Sequence, residues 1–391
     1  MHVVDVDTFN STMIAKYADF AKAKKTHLGY PYNLSFPFDE DSQFGAFLVN
    51  NLGDPYAGSH YGTHCCDIER DVVAWFMDLW GCGDRSKYWG AVGASGTEGN
   101  LWAIYLGREA HPDGVLLYSE DAHYSIPKAA KILRMEAVCV PSAPNGEISL
   151  EDLDRTVLGL RQRPIILTLN CGTTVKGAHD RIKDAISILN GSGHGPEQRY
   201  VHVDGALNAM VLPFIPDVER AIKPSFETGI DSVSTSGHKM VGTPMPCGVL
   251  VARRHRVDRI SSAISYLRSN DTTLMGSRNG HAVLSLWNRI SRHGATGFSR
   301  DIRVCLRRAE TLALALEARG VPTLLNQYSL TVVFPQPSQA IINHFQLACH
   351  NGLAHAIVMP NVDDRLIDAF VYSYLDWWGA RSAQSPILAA G

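Results

Sequence analysis

The stretch YWGAVGASGTEGNLWAIYLGREA, Tyr88 to Ala110, carries the first decision about the fold. A short apolar run enters a glycine-rich turn at Gly93–Gly99, and a longer helical segment follows. The same unit recurs downstream. GVLLYSE (114–120) reads as a strand, YSIPKAAKILRM (124–135) as a helix and AVCVPS (137–142) as a strand. SLEDLDRTVLGLRQ (149–162) opens with a Ser-x-x-Asp capping pattern and reads as a helix. PIILTLN, RYVHVDGA, SVSTS and CGVLVAR continue the strands, with the helix DRIKDAISILNG between the first two. Upstream, CDIERDVVAWFMDLWG (66–81) has apolar residues at helical spacing and a stop at Gly81. Short apolar strands alternating with helices predict an α/β domain with a mostly parallel sheet.

Three units follow along the chain: an N-terminal segment over 1–50, a large α/β domain over 51–265 and a smaller α+β domain over 266–391. The first holds a helix and then the extended run YPYNLSFPFDED. In the last, ETLALALEARGV predicts a helix, LTVVF and AHAIVMP predict strands, and periodicity is lost from LDWWGARSAQSPILAAG onward, which predicts partial disorder.

The 391 residues are 45% hydrophobic and 19% charged, with a net charge of -3. That is a globular composition without the basic footprint of a nucleic-acid or anionic-membrane binder. No apolar run spans a bilayer and the first residues lack a signal-peptide core, so a cytoplasmic enzyme is expected. The eight cysteines form no CxxC pair and read as reduced thiols. His64, Cys65 and Cys66 are adjacent, but neighbours on one element diverge and no second cluster completes a site, so no metal is expected.

Four signals fall at strand ends, where open parallel sheets bind ligands. Ser95, Gly96 and Thr97 sit in a turn that opens a helix, a natural anion site. It is neither a P-loop nor a dinucleotide fingerprint. His123 follows a strand. Asp204 ends one, and a buried carboxylate there needs a cationic partner, unless it serves as a local helix cap. Lys239 sits in STSGHKMVGTPMPCG (234–248) among small residues, and a desolvated lysine becomes a nucleophile. An amine, a carboxylate, an anion nest and a flat ring together suit pyridoxal phosphate.

The stretches YWG…GTEGN, HYS…KAAKILRM, NCGTTVKGAHD, VHVDGAL, SGHKMVGTPMPCGV and GSRNGH resemble the group II pyridoxal-phosphate-dependent amino acid decarboxylases. The likeness runs from about residue 45 to 370 and is greatest to the serine and histidine decarboxylase subgroup. NNLGDPY…YGTH and FQLACHNGLAHAIVMPNV resemble the plant-type serine decarboxylases more than the bacterial histidine enzymes.

The resemblance implies an aspartate aminotransferase-type fold with a seven-stranded sheet. It implies that Lys239 forms the Schiff base, Asp204 pairs with the pyridine nitrogen and His123 stacks on the ring. Ser95, Gly96, Thr97, Ser236 and His238 bind phosphate, and Thr173 and Thr174 lie near the other face of the ring or its hydroxyl. Tyr266 is a candidate proton donor to Cα, with packing at a subunit interface as the alternative. Tyr61 and His64 are candidate substrate contacts. The site lies between two subunits of a homodimer. The expected reaction turns L-serine into ethanolamine and CO2. L-histidine to histamine and decarboxylation-dependent oxidative deamination are the alternatives.

Overall fold

The computed structural model describes residues 5–36, 42–58, 61–265 and 269–384. Seven strands form one sheet, in the order Tyr88–Gly93, Gly248–Arg253, Ser232–Ser236, Arg199–Asp204, Ile165–Asn170, Val115–Ser119 and Ala137–Val140. Gly248–Arg253 runs antiparallel to both neighbours, and the other pairs are parallel. Parallel pairing demands crossovers. Helices Gly96–Ala110, Ser125–Leu133, Leu150–Gly159 and Ile182–Gly191 alternate with the strands and cover the sheet. With both faces covered, the central strand Ile165–Asn170 is mostly apolar rather than alternating, while its neighbours Arg199–Asp204 and Ser232–Ser236 bury polar side chains such as His202, Ser232 and Ser234. Ile165, Ile166, Leu167 and Leu169 are fully buried, each worth about 1.5–3 kcal/mol relative to exposure.

The helix signals in the sequence have physical counterparts. Ser149 Oγ accepts from the Asp152 backbone N–H at 3.2 Å and donates to its carboxylate at 2.6 Å. Helix Cys66–Leu79 buries Val72, Val73, Phe76 and Met77.

A second, four-stranded antiparallel sheet runs Leu324–Leu325, Thr331–Pro335, Leu353–Ile357, Ala348–His350. The long helix Gly280–Glu317, kinked at Gly294, leads into it. The tail corrects one expectation. Where periodicity fades from Leu375, helix Asp364–Gln384 continues. Aromatic packing holds it: the Tyr374 ring lies 5.1 Å from Phe334 and 5.4 Å from Trp377. Residues 385–391 lie outside the described residues.

The N-terminal segment laces the two sheets together. Ile357 N donates to Leu28 O at 2.8 Å, while Asn33 donates from its backbone to Lys239 O at 3.3 Å and from its side chain to Met240 O at 3.0 Å. Preceding it, helix Val6–Lys24 buries none of its own residues.

Candidate active site

The C-terminal ends of the parallel strands open on one side, and the chain places a cavity of about 470 Å3 there. The predicted cofactor contacts come from the ends of five strands or the segments that follow them. Ser95, Gly96 and Thr97 follow Tyr88–Gly93, His123 follows Val115–Ser119, and Thr173 and Thr174 follow Ile165–Asn170. Asp204 closes its own strand, and Ser236, His238 and Lys239 follow or end Ser232–Ser236. All ten line the cavity. The N-terminal segment and the small sheet supply the opposite wall with Tyr30, Tyr32, Thr331 and His355.

Ser95 is the N-cap of helix Gly96–Ala110, and its Oγ accepts from Glu98 N at 3.3 Å. Gly96 leaves room here for the Ser236 hydroxyl. A Cβ there would sit 2.6 Å from Ser236 Oγ, closing the gap between the helix start and the Lys239 loop. Ser236 N in turn donates to Ala206 O at 3.0 Å, which pins that loop to the Asp204 strand. Gly172 adopts φ +95°, and a side chain there would strike the Asn208 amide.

Lys239 keeps access to the cavity but is densely surrounded. Lost hydration pushes its pKa below the ordinary lysine value, and the Asp204 charge opposes that. Burial likewise lowers His123, against Asp204 and with the Lys239 charge. His238 is lowered by burial, while its bond to Cys247 O, 3.0 Å from Nδ1, pulls the other way. The cavity therefore presents three histidines held below their ordinary value by burial, His123, His238 and His355, and a lysine biased toward its free amine. Asp204, 6% exposed, accepts from Asn100 Nδ2 at 2.7 Å and from Ala206 N at 3.2 Å.

Tyr61 and His64 do not line this cavity. Tyr61 OH donates to Leu48 O at 2.7 Å, and His64 Nδ1 accepts from Cys66 N at 3.3 Å. Tyr266 lies outside the described residues. No cluster of metal-ligating side chains occurs among the described residues.

Sequence reading missed Asn100, Asn208, Tyr30, Tyr32 and His355. Asn100 left a signal, a polar side chain heading the apolar run Leu101–Ile104. Asn208 directly follows the VHVDGAL stretch, while Tyr30, Tyr32 and His355 come from distant segments brought in by packing, which local patterns do not encode.

Burial also sets the acid stability of the fold. Among the described residues nine histidines are held below their ordinary value, each chiefly by burial. His179 and His202 fall to about 4. Below about pH 6.5 the unfolded chain takes up these protons first, so stability is complete above that pH and declines toward pH 4. The two deepest histidines each account for about 3 kcal/mol over the window. Asp180, pushed up to about 6 by burial, acts in the opposite sense and offsets about one of them. The melting temperature is expected to fall clearly between pH 7 and 5, and His202→Gln to flatten that slope. A melting temperature independent of pH over this range would contradict the account.

The pyridoxal-dependent decarboxylase conserved domain matches residues 64–334. The chain is 43% identical over 385 residues to Serine decarboxylase 1 of Oryza sativa subsp. japonica, covering 97% of this chain and 79% of that protein. It is 38% identical to Histidine decarboxylase of Morganella morganii, over 92% of this chain and 96% of that one. Among solved structures, an L-methionine decarboxylase from Streptomyces sp. 590 superposes with a TM-score of 0.87 at 25% identity, covering 95% and 96% of the two chains. The architecture is thus the aspartate aminotransferase-type fold, with pyridoxal phosphate as cofactor. The chain belongs to the pyridoxal-dependent decarboxylases, enzymes that remove the carboxyl group of an amino acid.

Proposed function

We propose that this chain decarboxylates L-serine to ethanolamine and CO2. The observation that carries the substrate is the 43% identity to a rice serine decarboxylase over 97% of the chain, against 36–39% to bacterial histidine decarboxylases. Incubating the holoenzyme with each of the twenty L-amino acids and identifying the amines tests it. Ethanolamine should dominate, and histamine as the main product would replace serine with histidine.

The residues present fit the cofactor. The close approach of Gly96 to Ser236 leaves an anion-sized cradle at the start of a 15-residue helix. Asn208 contributes a buried Oδ1 with no hydrogen-bond partner among the described residues. In this reading Ser95, Gly96, Thr97, Ser236 and His238 hold the phosphate. Asp204 would face the ring nitrogen, His123 would cover the ring, and Thr173 and Thr174 would serve its other face or the ring hydroxyl. Bound there, pyridoxal phosphate supplies the electron sink for the pair left behind when CO2 departs.

The chain's own groups do the rest. Lys239 Nζ, biased toward the free amine, is the nucleophile and later the base that receives a proton. The Asp204 carboxylate keeps a proton on the nitrogen it faces. His123 offers a neutral planar face without adding charge. Tyr266 delivers the proton to the substrate Cα. Tyr266→Phe should cut amine formation by on the order of 10²-fold and raise carbonyl by-product. Normal amine yield with no carbonyl product would remove Tyr266 from this role.

We also infer a homodimer in which Tyr61 and His64 serve the partner's cavity. Support comes from helix Val6–Lys24, whose Phe9, Met13, Ile14, Tyr17 and Phe20 are more than half exposed. That spacing forms one apolar helix face, and such a face needs cover. Sedimentation should give twice the chain mass, and a fully active monomer would contradict it. The cytoplasm is the proposed compartment. Among the described residues no helix is long and apolar enough to cross a membrane, and Cys139 and Cys349 are exposed free thiols. Cell fractionation checks this placement.

A further inference from the structure

Asp204 does not stand alone at the end of its strand. Behind it lies Asn100, 1% exposed, on the first turns of helix Gly96–Ala110. The Asn100 amide donates to Asp204 Oδ2 at 2.7 Å and to Ser125 Oγ at 2.9 Å. Its oxygen lies 3.0 Å from His202 Nε2 and accepts from Ser234 Oγ at 3.0 Å. All four hydrogen-bonding positions of the amide are used.

This satisfaction fixes the polarity of the chain. Turning the amide over would set its oxygen against a carboxylate oxygen at 2.7 Å, acceptor against acceptor. Asn100 therefore donates to Asp204, and His202 must carry its proton on Nε2 to reach the Asn100 oxygen. The bare Nδ1 of His202 then accepts from Ser232 Oγ at 2.9 Å, and Ser232 accepts from Tyr200 OH at 2.9 Å. His202, Ser232 and Tyr200 are all fully buried, so water does not compete for these bonds. Burial also keeps His202 neutral, as that polarity requires.

We propose that Asn100 is a positioning residue that orients the Asp204 carboxylate and holds it in its anionic form, with His202 as the fixed donor that stops the Asn100 amide from turning. A hydrogen bond given to the charged form of an acid lowers its basicity. Without it, a proton shared between Asp204 and the ring nitrogen of the cofactor shifts toward Asp204. The inference rests on the cofactor reading above.

The test uses holoenzyme reconstituted with pyridoxal phosphate carrying 15N at the ring nitrogen. Its 15N chemical shift reports protonation directly. In the unsubstituted enzyme the shift should be that of a protonated ring. In Asn100→Leu it should move toward the unprotonated value, with kcat down by about tenfold and KM within about twofold, the split expected of an interaction that acts on the reacting state. Ser234→Ala removes one bond to the same amide but no donor to Asp204, and should leave the shift in place. If Asn100→Leu fails to fold, the His202 pair decides. His202→Leu should move the shift in the same direction by less, and His202→Gln, which restores a donor and an acceptor, should return it. An unmoved shift in both Asn100→Leu and His202→Leu overturns the proposal, as does an equal shift in Ser234→Ala. Unsubstituted protein that takes up no cofactor would instead overturn the cofactor reading.

Discussion

Lys239→Ala should lower turnover by on the order of 10³-fold or more and abolish the visible absorbance of the lysine-linked cofactor. The loss should be chemical rather than structural. The backbone of residue 239 anchors the N-terminal segment, because Asn33 N donates to Lys239 O, and alanine keeps that carbonyl. The side chain packs beside the cavity and is not in the apolar core, so the melting temperature should change by only a few degrees. Burial holds the Lys239 amine below its ordinary pKa, and no other lysine lines the cavity to replace it. Small external amines should restore a fraction of the activity if the missing amine is the whole defect. Turnover near the unsubstituted rate would remove Lys239 from the chemistry.

Asp204→Asn should cost on the order of 10²–10³-fold in kcat while leaving the fold in place. The carboxylate accepts from Asn100 Nδ2 at Oδ2 and from Ala206 N at Oδ1, so an asparagine oxygen keeps one of these two bonds and its amide nitrogen faces the other donor. The charge disappears as well. Asp204 raises the pKa of both Lys239 and His123 against their burial, so its neutralisation should lower both further. The activity profile should then fail at high pH less through Lys239 than through loss of the proton opposite residue 204. Cofactor affinity should fall as well, because a cationic ring nitrogen loses its counter-charge. A kcat within threefold of the unsubstituted enzyme would show that this carboxylate is not the partner of the ring nitrogen.

Most of the large sheet was legible because its physics is local. Strands buried on both faces read as continuous apolar runs where no polar partner waits inside, as PIILTLN nearly does, whereas RYVHVDGA and SVSTS carry buried polar side chains. The Gly-rich turn at Gly93–Gly99 and the Ser149 cap announce helix starts through backbone constraints alone. Asp204 stood out because a carboxylate at the end of a buried strand needs a partner. Three things were not legible. The tail helix to Gln384 is held by aromatic contacts to Phe334, a residue some forty positions earlier. The cavity wall from Tyr30, Tyr32 and His355 depends on the N-terminal segment pairing with the strand Leu353–Ile357. Asn100 sat inside a recognised motif, yet its bonds to Asp204 and His202 join residues more than a hundred positions apart. Local composition gives no hint of such partners.

The most direct measurement supplies the holoenzyme with L-serine labelled at the carboxyl carbon and follows both products. The account predicts labelled CO2 and unlabelled ethanolamine in equal amounts, with no ammonia released and a larger kcat/KM than for L-histidine. Glycolaldehyde and ammonia in place of ethanolamine, or histidine as the better substrate, would contradict it.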